Sequence, residues 1–287
     1  MHILDHEYYS TLYSQTNNKV DKYRYFYSML GNPEATFPTI EAEVHRQRSG
    51  ALKPFFSASA ISKIEPLIGD VVNRLTDRMA VCAKEGKAIP LFYAYRCMTV
   101  DIISEYAFGS QFGLIDREDW GESFYSAWRA LWEMSGLIRQ APVIMDIFEA
   151  MPRWLLAITQ PSALEVIDMQ NFTTEQTRIL LSTSPEVNET RRFPTVIWKL
   201  FTSESLPPKE KAFKRLAVDA NSILAAGFET TGNLLTLVTY LVISHPEVHE
   251  KLKQELVIAI PDPNEIPSWR SLENLPYFSA IIKESLR

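Results

Sequence analysis

The stretch from Asp219 to Ser244, DANSILAAGFETTGNLLTLVTYLVIS, limits what this chain can become more than any other. It is long and apolar on nearly every side. A helix of that kind belongs inside a large protein or a bilayer. Yet its middle carries Gly227, which costs about 1 kcal/mol against alanine in a helix interior. It also carries an acid, Glu229, and burying a lone charge is expensive. Ala226-Gly227-Phe228-Glu229-Thr230-Thr231 therefore breaks local rules within about a turn and a half, which marks it as a candidate for function.

The spacing predicts a helix from Lys209 to Ser244, roughly 54 Å long at 1.5 Å per residue. Ile223 to Ile243 reaches transmembrane length, but Glu229, Asn233 and four threonines lie inside it and no basic flank follows Ser244. An intramembrane acid costs about 2.5–3.5 kcal/mol even on the lenient scale, so a membrane span is disfavoured. Gly227 would let a flat or bulky group approach the backbone. Thr230 can bond the carbonyl one turn back and loosen the helix. Together they would open a groove in which Glu229 and Thr230 donate protons or anchor water. The competing reading is a bent core helix with a satisfied polar pair.

Elsewhere the patterns are helical and strand signals nearly absent, so the fold class is mainly α. Ile61, Ile64, Leu67, Ile68, Val71, Leu75 and Met79 line one side of Ser59–Lys84, and Gly86 fits its end. Leu91 to Phe112 is a second helix, closed by Phe108-Gly109. Trp120–Ile138 and Ala163–Leu181 follow. Pro194–Phe201 is a short helix. Ser182–Arg192 reads as an exposed loop, Gly31-Asn32-Pro33 as a turn and Pro261–Pro267 as a loop. Ser244-His245-Pro246-Glu247 has the form of a capping box. Pro276 opens a last helix to Arg287. The tyrosines between Tyr8 and Tyr27 suggest a partly exposed aromatic surface. A net charge of −6 gives no reason to expect nucleic acid. Cys82 and Cys97 lie in no metal or redox spacing and read as reduced core residues. Met1–Ser10 has no signal-peptide pattern.

These residues resemble the cytochrome P-450 haem-thiolate monooxygenases. Ala226–Thr231 is similar to that family's AGx[DE]TT signature. His245-Pro246-Glu247-Val248 with Leu252 and Glu255-Leu256 resembles the helix after it. Leu275-Pro276-Tyr277 leads into Glu284-Ser285-Leu286-Arg287, which matches ExxR. His45-Arg46-Gln47-Arg48 with Pro54-Phe55-Phe56-Ser57 resembles the segment whose basic residues hold haem propionates, although Ser49 stands where a basic residue is expected. Phe108-Gly109 is a pair often found in the family.

The resemblance implies a partial cytochrome P-450 fold with a long central helix, residues 1–287 forming one partial domain. Thr230 with Glu229 would be catalytic, organising water and protons for oxygen activation. Ala226 and Gly227 would leave room for oxygen, and His45, Arg46 and Arg48 would hold the haem. Ser222, Ala225 and Phe228 would face substrate, and Glu284 and Arg287 would form a structural ion pair. The implied activity is monooxygenation of a small apolar molecule, in the style of fungal secondary metabolism, with molecular oxygen and electrons from NADPH through a reductase. Full-length relatives would be anchored in the endoplasmic reticulum membrane, whereas this sequence has no anchor or early sheet. The iron-ligating cysteine loop, FxxGxRxCxG, would lie beyond Arg287, so the chain alone is expected to be inactive. The alternative is a non-catalytic helical fragment acting as a binding or interaction module. An all-α terpene cyclase ranks last, because no aspartate-rich metal motif such as DDxxD is present.

Overall fold

A computed structural model describes residues 4–13, 20–27, 34–141, 143–262, 265 and 267–287. The turn expected at Gly31-Asn32-Pro33, Pro142 and three residues of the 261–267 loop lie outside them. Among the described residues the regular structure is helical, with no strand. None of their helices is long and apolar enough to cross a membrane. The chain forms two compact units, described in turn: Met1–Pro54, Ser126–Ser184 and Val196–Ser222 in the first, Phe55–Tyr125, Pro185–Thr195 and Ile223–Arg287 in the second.

In the first unit the helices Pro161–Ser182 and Val196–Thr202 pack together. The second of these buries Val196, Ile197, Trp198 and Leu200, so a short helix of low length contributes a full set of core side chains. The tryptophan stripe of helix Glu122–Gln140 divides: Trp128 is buried and Trp132 is exposed. Tyr8, Tyr9, Tyr13, Tyr23 and Tyr25 are exposed, as their clustering suggested.

This unit is tied by a buried charged cluster. Glu210 accepts from Arg48 Nε at 2.7 Å and from Arg215 Nε at 3.1 Å. Arg215 pairs with Asp219 at 2.7 Å and donates to the Thr36 hydroxyl at 2.8 Å. Asp219 in turn accepts from the Thr36 amide at 2.7 Å. Two arginines face two acids, so the cluster is neutral, and Arg215 Nη1, which makes no hydrogen bond, is matched by the charge of Asp219; paired charge of this kind is tolerated when buried. Burial alone would raise the Glu210 carboxyl, but bonds and charge from Arg48 and Arg215 outweigh it and hold it below its ordinary value.

The second unit is built on helix Glu65–Lys84 packed against helix Leu91–Phe108. The expected single helix from Ser59 is two, Ala58–Lys63 and Glu65–Lys84, because Pro66 restarts it after Ile64. Ile64, Leu67, Val71 and Leu75 are the buried members of the stripe. Gly86 and Gly109 both take positive φ just past their helices, where only glycine is at ease. Gly109 ends Leu91–Phe108 four residues before the expected limit. Asp101, fully buried, accepts from the amides of Leu114 and Ile115 at 3.0 and 3.3 Å.

Three expectations are corrected. Ser182–Arg192 is no plain loop: Pro185–Glu189 is helical with Asn188 buried, and Arg191 donates to the Gly109 carbonyl at 3.1 Å. The long helix starts at Phe213, since Pro208–Lys211 is a 3-10 turn and Ala212 is extended. Ser244 caps nothing ahead of it. Its hydroxyl donates back to the Tyr240 carbonyl at 2.7 Å, and His245 stands at the N-cap of Pro246–Ala259 without a side-chain bond. The last helix, Pro276–Ser285, is capped from elsewhere: Glu255 accepts from the amides of Tyr277 and Phe278 at 2.9 and 2.8 Å.

Replacing Arg215 with methionine leaves Glu210 and Asp219 without their shared partner. The expected loss is about 3–5 kcal/mol in urea unfolding. A depressed carboxylate contributes stability above its unfolded value and loses it as pH falls through the folded one. Wild-type stability should therefore fall on acidification below about pH 4.5, more steeply than in Glu210→Gln.

Candidate active site

Helix Phe213–Ser244 advances about 100° per residue, and its C-terminal part, within the second unit, presents two unlike faces. One is packed on helix Leu91–Phe108. A Cβ placed on Gly227 would lie 2.6 Å from Cγ1 and 3.0 Å from Cβ of Ile103. A Cβ on Gly232 would lie 2.7 Å from Arg96 Cγ and 3.3 Å from Arg96 Cα. Phe228 is fully buried, its ring 5.6 Å from that of Phe124, and its carbonyl accepts from the Thr99 hydroxyl at 3.1 Å. Further along, the Tyr95 and Thr239 hydroxyls meet at 2.9 Å.

The other face is open. Ala226, Thr230, Asn233 and Leu237 follow one another at spacings of four, three and four and are all exposed. The Thr230 hydroxyl donates to the Ala226 carbonyl at 3.2 Å, the back-bond expected of it. That bond uses the hydroxyl hydrogen and leaves Oγ1 free to accept.

These two faces separate residues that the motif groups together. Gly227 sits on the packed side, where it admits Ile103 and not a small ligand. The role expected for it, making room for oxygen, is corrected to making room for a helix. Phe228 is likewise a core residue rather than a substrate-facing one. Ala226 and Thr230 are on the open side. Ser222 and Ala225 are half-buried.

Glu229 lies on the flank between the faces and is held by Arg96. The guanidinium donates to both carboxylate oxygens, Nη2 to Oε1 at 2.8 Å and Nε to Oε2 at 3.2 Å. Its third bond goes to the Phe92 carbonyl at 3.0 Å. The cation lies 3.7 Å from the centroid of the Phe92 ring and 4.9 Å from that of Tyr125. Arg96 is 4% exposed and Glu229 36%. Sequence reading missed Arg96. The signal was a lone base in the apolar run LFYAYRCMTV, since a buried arginine requires an acid somewhere.

The basic triplet belongs to the first unit, on helix Ala42–Leu52. Arg48 is engaged inward by Glu210, the Thr39 hydroxyl at 2.8 Å and the Glu34 carbonyl at 3.0 Å. That geometry speaks against the propionate role expected for it, because its donors are spent inside the fold. Arg46 pairs with Glu43 on the surface at 2.6 Å. Burial, then the charges of Lys22 and Lys53, push His45 below its ordinary value, so it is neutral near pH 7 and offers an N–H rather than a charge. Glu284 and Arg287 approach to 3.6 Å on the surface, where a pair adds little. Among the described residues no group of three or more His, Cys, Asp or Glu side chains could hold a metal ion.

Gly227→Ala discriminates between the two roles of that glycine. Alanine gains about 1 kcal/mol of helix propensity but overpacks Ile103, at about 1–3 kcal/mol. Thermal unfolding should show net destabilisation, and the penalty should largely vanish in an Ile103→Ala background. A stabilised Gly227→Ala would return the glycine to the ligand side.

Comparison with known proteins agrees with this architecture. The tryptophan 6-hydroxylase fscE of Fusarium equiseti is 32% identical over the whole chain, which covers 56% of that protein. The cytochrome P450 monooxygenase sdnE of Sordaria araneosa is 30% identical, with 57% of it covered. The N-acetyltryptophan 6-hydroxylase ivoC of Emericella nidulans is 29% identical, with 56% covered. The chain thus spans a little over half the length of these curated relatives. A crystal structure of a cytochrome P450 (CYP102L1) superposes with a TM-score of 0.71 at 16% identity, over 93% of this chain and 55% of that one, which speaks for the fold. The model of the cytochrome P450 family matches residues 1–287, and the chain belongs to that family.

Proposed function

We propose that these residues form the oxygen-side part of a single haem-dependent monooxygenase domain that oxidises a small, largely apolar molecule. The observation that carries the reading is the open face of the central helix. A methyl group and a hydroxyl stand on it side by side, at Ala226 and Thr230, one turn apart and next to the packed positions 227, 228 and 232. Such a face suits one side of a flat apolar group. Thr230 would then hold a water or a proton at its Oγ1, with its own hydrogen committed to the Ala226 carbonyl. Ala226 keeps the approach to that hydroxyl clear.

Haem held by a cysteine thiolate supplies the oxidising chemistry of the family. Neither cysteine here fits that ligand. Cys97 is buried, donates to the Trp120 carbonyl at 3.0 Å, and is pushed up to about 12 by burial and by Asp101. It is a thiol at any ordinary pH, whereas metal ligation needs the thiolate. Cys82 is half-buried on helix Glu65–Lys84. The thiolate would come from a loop outside residues 1–287. With it, electrons from NADPH through a reductase would complete the reaction, at the endoplasmic reticulum membrane. The relatives named for tryptophan and N-acetyltryptophan make an aromatic amino acid the first substrate to try.

Expressed with haem, the 287-residue chain should give no thiolate-type carbon monoxide difference band. A clear band would overturn the assignment of both cysteines. In the haem-loaded enzyme that carries the cysteine loop the band should appear. There Thr230→Ala should lower product formed per NADPH consumed by about tenfold or more, while Thr231→Ala changes it little. Failure of any cysteine-bearing form to bind haem would favour the second reading, a helical interaction module.

A further inference from the structure

We propose that Arg96 is a positioning residue for the reaction, acting through Glu229 to fix a water beside the Thr230 hydroxyl. The inference rests on the monooxygenase reading above and adds a residue that no signature motif includes.

Arg96 is itself immobilised. Its side chain is buried, stacked on two rings, bonded to the Phe92 carbonyl, and pressed at Cα and Cγ against the backbone of Gly232. A guanidinium fixed on so many sides transmits its geometry to what it binds. It takes one site on each oxygen of Glu229. A carboxylate has about four acceptor sites, so roughly two remain on a side chain that is 36% exposed. The next residue in the chain is Thr230. Its hydrogen is directed to the Ala226 carbonyl, which leaves Oγ1 as an acceptor. A water between the two would donate one O–H to Glu229 and the other to Thr230 Oγ1. Arg96 fixes both oxygens of Glu229 in place, so the part that remains for the group is to order this water. Of the two roles expected for Glu229, proton donor or water anchor, the proposal takes the second.

The test uses the haem-loaded enzyme, with coupling (product formed per NADPH consumed) and the solvent isotope effect on kcat as readouts. Arg96→Lys keeps the charge but not the two-pronged geometry, and coupling should fall a few-fold. Arg96→Met and Glu229→Gln should each lose about tenfold or more and alter the isotope effect, with haem content and KM unchanged. Tyr95→Phe serves as control. It removes the bond to Thr239 between the same two helices and should weaken the fold without changing coupling. Wild-type coupling in Arg96→Met, or in Glu229→Gln should the first variant not fold, would overturn the proposal. So would an equal coupling loss in Tyr95→Phe, which would make Arg96 merely structural. A wild-type enzyme without the thiolate band would bring down the monooxygenase reading itself, and is seen before any variant is made.

Discussion

The close approach of two helices at Gly227 and Gly232 governs the second unit. Both contacts are tighter than any side chain would allow. They fix the rotation of the central helix about its own axis, and that rotation decides which residues are offered outward. Had either position carried a side chain, the helix would have to shift or turn. Thr230 would then no longer stand on the open side. The site is thus set less by the residues that would do chemistry than by the two that have no side chain.

Charge plays a matching part. Each unit buries arginine against acid, and in each the pairing is complete enough to be tolerated. Arg48 and Arg215 share Glu210 in the first unit, and Arg96 clamps Glu229 in the second. The first cluster ties distant stretches of one unit together. The second holds fixed the carboxylate of the residue before Thr230. The same chemistry serves stability in one place and orientation in the other, and exposure marks the difference: Glu210 is closed off, whereas Glu229 keeps a part open to water.

Much of this was legible in the sequence. Helix periods, the glycines after Lys84 and Phe108, and the proline at the start of the last helix act locally, and local rules found them. The central helix was recognised because it breaks such rules. What could not be read was direction. Gly227 and Thr230 are three residues apart in one motif, and the pattern says nothing about which side of the helix meets another helix. Phe228 went astray for the same reason. Arg48 and Arg96 were misjudged or missed because their partners lie about 160 and 130 residues away. Ser244 was read as a cap because its spacing to Glu247 fits, yet a hydroxyl at a helix end can also bond backward, and here it does.

The two-faced helix sets unequal freedoms for future change. Among the described residues Asn233 and Leu237 border open space, so side chains of new shape can be installed there while Ala226 keeps the Thr230 hydroxyl clear. Positions 227 and 232 carry the opposite demand, since each meets a neighbour closer than a Cβ would allow, and Phe228 between them is fully buried. A library meant to alter what this protein accepts would best vary the first set and leave the second untouched, and the boundary between them falls between adjacent residues of a single turn.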